Sequence, residues 1–513
     1  MFRAALAVAT ADFRRRTRSL TLVVAGLLTA YLGKLIVVDG QLVVAGDYTG
    51  VGTAAWYGAT VCGLGTTILL VAGFPLVRGG ITHDRETGVS VLLGTSPLST
   101  GAYLLGKFLS ALAALGVVAA VLAAATTAAF LLNGTGPFDP VGLWGPFLLI
   151  TVPAVAITAA AAVLTETVGP LRSTLGTAVY VFGAFVLVAL GAQGTLPFDP
   201  TGLTVLQASM SADVATQFQT AELTSGFAYV PAGRDVTTFQ WSGVRWTVAR
   251  LLDRLATLSV AAVLLAGAAI SSNRFDPDAG TDLPSVGVAD ESPVPTTESS
   301  EATAVGKAVS GLSAVETGWF GLATATAAEL RMALRRRRLW YLAVAALVVG
   351  SLAAPLGVTR SALVPIGALL TLPVLSALGT RERRANTASL LFTTAPPVRL
   401  LIPTYLSGVA VVGLVVVPAG VRFALLGASG TLLGLVGAVL ALPAVALAAG
   451  VWTTRPRVFE TAFLLAWYLG PVNGVALLDF VAARPETVAA DVPLVYVAAA
   501  PVFLAVAALG RRR

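Results

Sequence analysis

Residues 108–132 read FLSALAALGVVAAVLAAATTAAFLL, twenty-five residues without a charge. As a helix with a rise of about 1.5 Å per residue this stretch is roughly 37 Å long. That exceeds the roughly 30 Å hydrocarbon core of a bilayer. It is apolar on every side, the pattern of a helix surrounded by lipid or by other apolar helices. Working outward in both directions, the same reading applies at 20–38, 54–76, 141–164, 175–193 and 255–270. It applies again at 340–358, 362–378, 400–417, 432–451, 458–480 and 494–509. The sequence therefore predicts an all-α integral membrane protein with about twelve transmembrane helices.

Composition agrees. Hydrophobic residues make up 56% and charged residues 12% of the 513, against roughly 25% charged in a soluble domain. Disordered, collagenous and coiled-coil chains are excluded by the same figures. Cys62 is the single cysteine, His83 the single histidine, and the methionines are Met1, Met210 and Met332. Such a set builds no zinc, copper or haem centre within the chain, so no metal or cofactor site is expected. The net charge of +7 is read as a topology signal and not as a nucleic-acid footprint.

With the N-terminus inside the cell, 25 of the 33 Lys and Arg fall on the cytoplasmic side. The other eight are Lys34, Arg234, Arg245, Arg250, Arg254, Arg360, Arg422 and Arg484. This bias predicts a multi-pass cell-membrane protein with both termini cytoplasmic. The centres of the candidate spans carry no ionisable residue, which argues against ion-coupled transport by the chain alone.

Segment 275–318 holds eight acids and one base, Lys307, among Pro, Ser, Thr and Gly. It reads as an acidic, disordered cytoplasmic linker. It separates a first half (1–274) from a second (319–513), each with six candidate spans. Each half opens with an amphipathic segment expected to lie in the membrane interface beside lipid phosphate. Asp12, Arg14, Arg15 and Arg16 mark the first, and Glu329 and Arg331 the second. Ser90-Val-Leu-Leu-Gly-Thr-Ser-Pro97 aligns with Ser389-Leu-Leu-Phe-Thr-Thr-Ala-Pro396 at four of eight positions. The duplication suggests two six-helix repeats running parallel. Residues 194–250 are long enough for a small external cap. Gly470-Pro471-Val472-Asn473-Gly474 interrupts span 458–480, as a kinked helix or a re-entrant turn.

Three motifs compete in the loop after the second span. Gly101 to Gly106-Lys107 begins like a phosphate-binding loop, but Phe108 stands where a magnesium-binding Ser or Thr is needed. Gly80-Ile-Thr-His-Asp84-Arg85 resembles the signature of major facilitator carriers, but Gly88 comes one residue late and Val89-Ser90 replaces the basic pair. The longer pattern has Glu86, Gly88, Leu92-Leu93, Pro97-Leu-Ser99 and Gly106-Lys107. It resembles the same loop in type-2 ABC exporter permeases. In the second half Glu382, Leu390, Leu391 and Pro396 match in kind, while Pro403-Thr404 replaces Gly-Lys.

The resemblance implies a permease subunit of an exporter, with no enzymatic activity of its own. ATP and magnesium would be bound by separate ABC ATPase subunits, two per fused chain. The loop would form a short coupling helix whose apolar residues Val89, Leu92 and Leu93 fill a groove on the ATPase. Pro97 would end that helix, and Lys107 would meet lipid headgroups. An ion-coupled twelve-span carrier and a membrane scaffold without transport are the competing classes.

Overall fold

The computed structural model describes residues 2–18, 22, 26, 29, 40–44, 48–172, 174–192, 199, 201–219, 227–231, 235–272, 320–335, 338–384, 387, 396 and 398–512. Apart from residues 22, 26 and 29, the first candidate span lies outside the described residues, as does the acidic linker.

The chain is a helical membrane protein. Among the described residues, eight helices are long and apolar enough to cross a bilayer. In the first half, α1 (Phe2–Thr17) precedes a small sheet pair, β1 (Gly40–Val44) and β2 (Tyr48–Gly50). The long helix α2 (Ala54–Val77) starts where the Thr53 hydroxyl accepts from the Trp56 N–H. A loop of two short helices follows, α3 (Gly80–Glu86) and α4 (Val89–Thr95). Next come α5 (Thr100–Asn133), α6 (Pro140–Thr167) and α7 (Thr174–Ala192). Helix α8 (Leu203–Phe218) and strands β3 (Phe227–Pro231) and β4 (Thr237–Phe239) lead to α9 (Val248–Ser271). The second half contains α10 (Phe320–Leu334), α11 (Arg338–Ala353), α12 (Leu356–Leu375) and the one-turn α13 (Arg381–Arg384). It closes with α14 (Leu401–Leu425), α15 (Ser429–Thr453), α16 (Pro456–Trp467), α17 (Pro485–Ala489) and α18 (Val492–Arg512). Of the apolar stretches read from sequence, those carried by α7 and α11 are shorter than the eight long helices.

The same neighbours recur in the two halves. The short N-terminal helix lies on the helix after the loop, α1 on α5 and α10 on α14. Helix α6 packs on α9, and α15 on α18. Across the halves α2 meets α16, and α7 meets α12. Ile68, Val71, Ala72 and Val181 of the first half enter one apolar core with Leu372, Phe463 and Trp467 of the second. The Trp467 indole donates to the Pro365 carbonyl at 2.8 Å, so its one polar atom is satisfied inside that core.

Beside the helices the described residues hold one small sheet. The cap contains a four-stranded sheet in the order β3-β1-β2-β4. Strands β1 and β3 pair antiparallel from Gly40↔Pro231 to Val44↔Phe227, and β2 runs parallel to β4. The pairing joins the connection before α2 to the 194–250 segment. Leu42, Val44, Phe239 and Trp241 are buried with Trp56 of α2, which fastens the sheet to the bundle. Sequence separation of nearly two hundred residues hides this pairing from any local pattern.

Span 458–480 also differs. The helix ends in a wide π turn at Tyr468–Val472, and Gly474 takes a positive φ of 81°. The chain then folds back through buried Asp479 and Phe480. A Cβ on Gly470 would lie 2.1 Å from the Leu478 carbonyl oxygen, so the close approach of the returning chain needs glycine there. The Asp479 carboxylate accepts from the N–H groups of Ala483 and Arg484 and from the Thr487 hydroxyl. Arg484 in turn donates to the Val472 carbonyl at 2.6 Å, closing the orphaned helix end. Residues 458–480 are therefore not one continuous helix.

Candidate docking loop and its anchors

The loop between α2 and α5 departs from a single coupling helix. It is two helices, each entered through a left-handed glycine: Gly79 at φ 91° and Gly88 at φ 72°. A side chain at either position would be strained. Helix α4 ends at Thr95, two residues before Pro97, and the Ser99 hydroxyl caps α5 by accepting from the Ala102 N–H. Glu86 and Pro97 are exposed, as is Val89. Leu92 is 71% exposed. Leu93 is half-buried and packs on Ile81, Tyr103 and Leu104. So the Leu pair is split: Leu92 faces outward and Leu93 holds the loop to its own bundle.

Lys107 corrects the headgroup expectation. Its side chain is 5% exposed, with Nζ 3.1 Å from Asp12 and 2.8 Å from Asp84. Gly106 beside it leaves room for α1, since a Cβ there would lie 2.7 Å from the Ala5 carbonyl oxygen. Asp12 also receives Arg16 at 2.7 Å, Arg15 at 2.6 Å and the Ser110 hydroxyl at 2.8 Å. Burial alone would raise the Asp12 carboxyl. Arg16, Lys107 and Arg15 outweigh it and hold the group well below the usual carboxylate range. Asp84 accepts from the Tyr103 hydroxyl at 2.7 Å. Arg16 reaches the Val77 carbonyl at the end of α2. Of the cations expected in the first interfacial helix, Arg14 is exposed, whereas Arg15 and Arg16 serve this cluster.

Glu166, at the end of α6, was not anticipated. Its carboxylate caps α3, accepting from the N–H groups of Gly79, Gly80 (3.2 Å), Ile81 (2.7 Å) and Thr82 (2.9 Å). Four charge-assisted bonds from the orphan donors of a helix start form a strong anchor. Arg457, from α16 of the other half, fills the space next to Gly79, where a Cβ would collide with its guanidinium. Arg457 lies within electrostatic reach of both Glu166 and Glu460. Arg78 donates to the carbonyls of Leu171 and Arg172 and to Thr177, and the Thr177 hydroxyl donates to Glu460. The base of the loop is thus shared between α2, α6, α7 and α16. The one signal in sequence was Glu166 between two threonines at a span end, and nothing local points to Arg457 as its neighbour.

The second half is built differently. Glu382 is 9% exposed and accepts from Arg511 of the last helix at 2.8 Å. It is therefore covered, contrary to its expected place on a docking surface, because the C-terminal helix lies over α13. Glu329 pairs with Arg381 at 3.3 Å. Burial raises the Glu329 carboxyl, and neighbouring Glu382 adds to this against the pull of Arg381. Arg331 and Pro396 are exposed. Leu390 and Leu391 lie outside the described residues.

No protein-family model matches this sequence, and no curated protein matches it either.

Proposed function

We propose that this chain is the membrane-spanning permease of an ABC-type exporter, two six-span halves fused in one polypeptide. ATP would be hydrolysed by separate ATPase subunits at the cell membrane, docked on the loop between α2 and α5. The observation that carries this reading is the exposed face of α4 on a firmly held base. Val89 and Leu92 stand outward beside acidic Glu86, while four backbone bonds to Glu166 fix α3. An apolar knob flanked by charge on a rigid support is what a groove on a partner needs. The recurrence of α1 on α5 and α10 on α14, and of α6 on α9 and α15 on α18, supports the two-repeat plan. Contact of α2 with α16 and of α7 with α12 supports a translocation path between the halves.

The two docking sites would be unequal, since Glu382 is covered by Arg511 whereas Glu86 is exposed. The test is affinity purification of the full chain in mild detergent, followed by identification of Walker-motif proteins in the eluate. A co-purifying ATPase released by Leu92→Asp supports the reading. Absence of any ATPase from wild-type eluates, with transport retained in vesicles under an ion gradient alone, transfers the protein to the carrier class.

A further inference from the structure

A cavity of about 160 Å³ lies where the halves and the cap meet. Its walls come from one face of α2 (Thr60, Gly63, Thr67), the start of α8 (Gln207) and the turn after α16 (Tyr468, Asn473), with Leu42 of the cap sheet above. No charged side chain lines it among the described residues. An apolar cavity of comparable size, roughly 150 Å³, holds a benzene-sized molecule. The Thr60 hydroxyl donates to the Trp56 carbonyl at 2.8 Å, and the Thr67 hydroxyl donates to the Gly63 carbonyl at 3.1 Å. Asn473 donates its amide to the Tyr468 carbonyl at 2.7 Å. With those hydroxyl protons committed within the protein, the Thr60 and Thr67 oxygens retain lone pairs as acceptors, while the side-chain amides of Asn473 and Gln207 offer both N–H donors and oxygen acceptors.

We propose that this cavity binds an uncharged amphipathic molecule with a body of about six carbons, or a segment of that size, bearing a hydrogen-bond-donating hydroxyl or amide. Charged ligands are disfavoured because no opposite charge lines the walls to offset desolvation. A ligand lacking a donor forfeits its bond to the threonine and asparagine oxygens. Such a bond is worth about tenfold in binding, from a net contribution on the order of 1 kcal/mol. That the ligand is cargo rests on the exporter reading; that it binds does not.

The experiment uses purified full-length protein in nanodiscs and a diazirine-bearing hexanol as photolabel, with labelled peptides mapped by mass spectrometry. The expected result is labelling within 203–207 or 468–473, competed by hexanol about tenfold better than by its methyl ether. Hexanoate and hexylammonium should compete still less. Gly63→Leu, which fills the cavity, should abolish this labelling, and Gln207→Leu should weaken it while leaving the fold intact. Labelling at other sites only, equal competition by the ether or the ions, or undiminished labelling of Gly63→Leu in protein with a wild-type melting profile would overturn the proposal. Because the assay contains no ATPase or nucleotide, labelling as expected with no ATPase partner found would reject the exporter reading and leave the cavity assignment standing.

Discussion

Lys107 Nζ stands 3.1 Å from the Asp12 carboxylate, which ties the N-terminal helix to the helix that follows the loop. Both side chains are nearly inaccessible, so neither charge is relieved by water if the other is removed. Lys107→Met therefore leaves Asp12 and Asp84 buried with one cation fewer. Breaking a buried pair from one side costs about 3–5 kcal/mol, and a clear fall in melting temperature in detergent is expected. Lys107→Met combined with Asp12→Asn should recover part of that loss. A double variant no more stable than the sum of the two single changes predicts would show the pair to be uncoupled.

The same carboxylate sets a pH dependence. The folded Asp12 group titrates below its unfolded value of about 3.9. Its contribution is therefore complete above that unfolded value and is lost as pH falls through the folded one. Docking of α1 should be unchanged between pH 7 and pH 5 and weaken only in strong acid. Stability measured against pH in detergent checks this. Asp12→Asn should flatten the acid limb, whereas a loss centred near pH 6 would assign the titration to another group.

Much of this arrangement could be read locally and some could not. The apolar runs of α2, α5, α6, α14 and α15 announce themselves because a helix in lipid needs only its own residues to be apolar. The loop glycines and Pro97 likewise act through local backbone geometry. Lys107 was misplaced at the headgroups because its partners lie 95 and 23 residues away on α1 and α3. Glu166 and Arg457 escaped for the same reason, since a charge at a span end looks alike whether it meets lipid or a neighbouring helix. The cap sheet is an extreme case, with β1 meeting β3 across the helices from α2 to α8.

Glu166 offers a direct test of the loop's anchorage. Glu166→Gln keeps the shape but replaces a carboxylate with one amide oxygen as acceptor for four N–H groups. Amide hydrogen exchange over Gly80–Glu86 should rise by about tenfold, the effect of roughly 1.4 kcal/mol, while exchange in the middle of α5 stays unchanged. Gly79→Ala should act similarly by pushing Arg457 aside. Unchanged protection in both variants would mean that α3 is held by other contacts.

Leu92 and Leu93 separate docking from folding. Leu92 is 71% exposed, so Leu92→Asp should leave the melting temperature within about a degree of wild type, as surface changes within roughly 0.5 kcal/mol do. It should nonetheless abolish ATPase retention. Leu93→Ala removes packing against Ile81 and Tyr103 and should lower stability first. A Leu92→Asp protein that retains its ATPase at wild-type level removes α4 from the interface.

Arg511 is the test of asymmetry between the halves. It covers Glu382 from the last helix at 2.8 Å, and both groups are buried. Arg511→Ala strands the Glu382 carboxylate without its cation, a loss expected in the range of about 3–5 kcal/mol. Glu382→Gln in the same background should restore much of the stability, because a neutral amide is far cheaper to bury than an anion. If the covering contact also limits docking, the paired variant should bind more ATPase than wild type, read as the ratio of ATPase to permease after purification. A paired variant with restored stability and an unchanged ratio would show that the contact with Arg511 is structural and that the second half takes its partner by other residues.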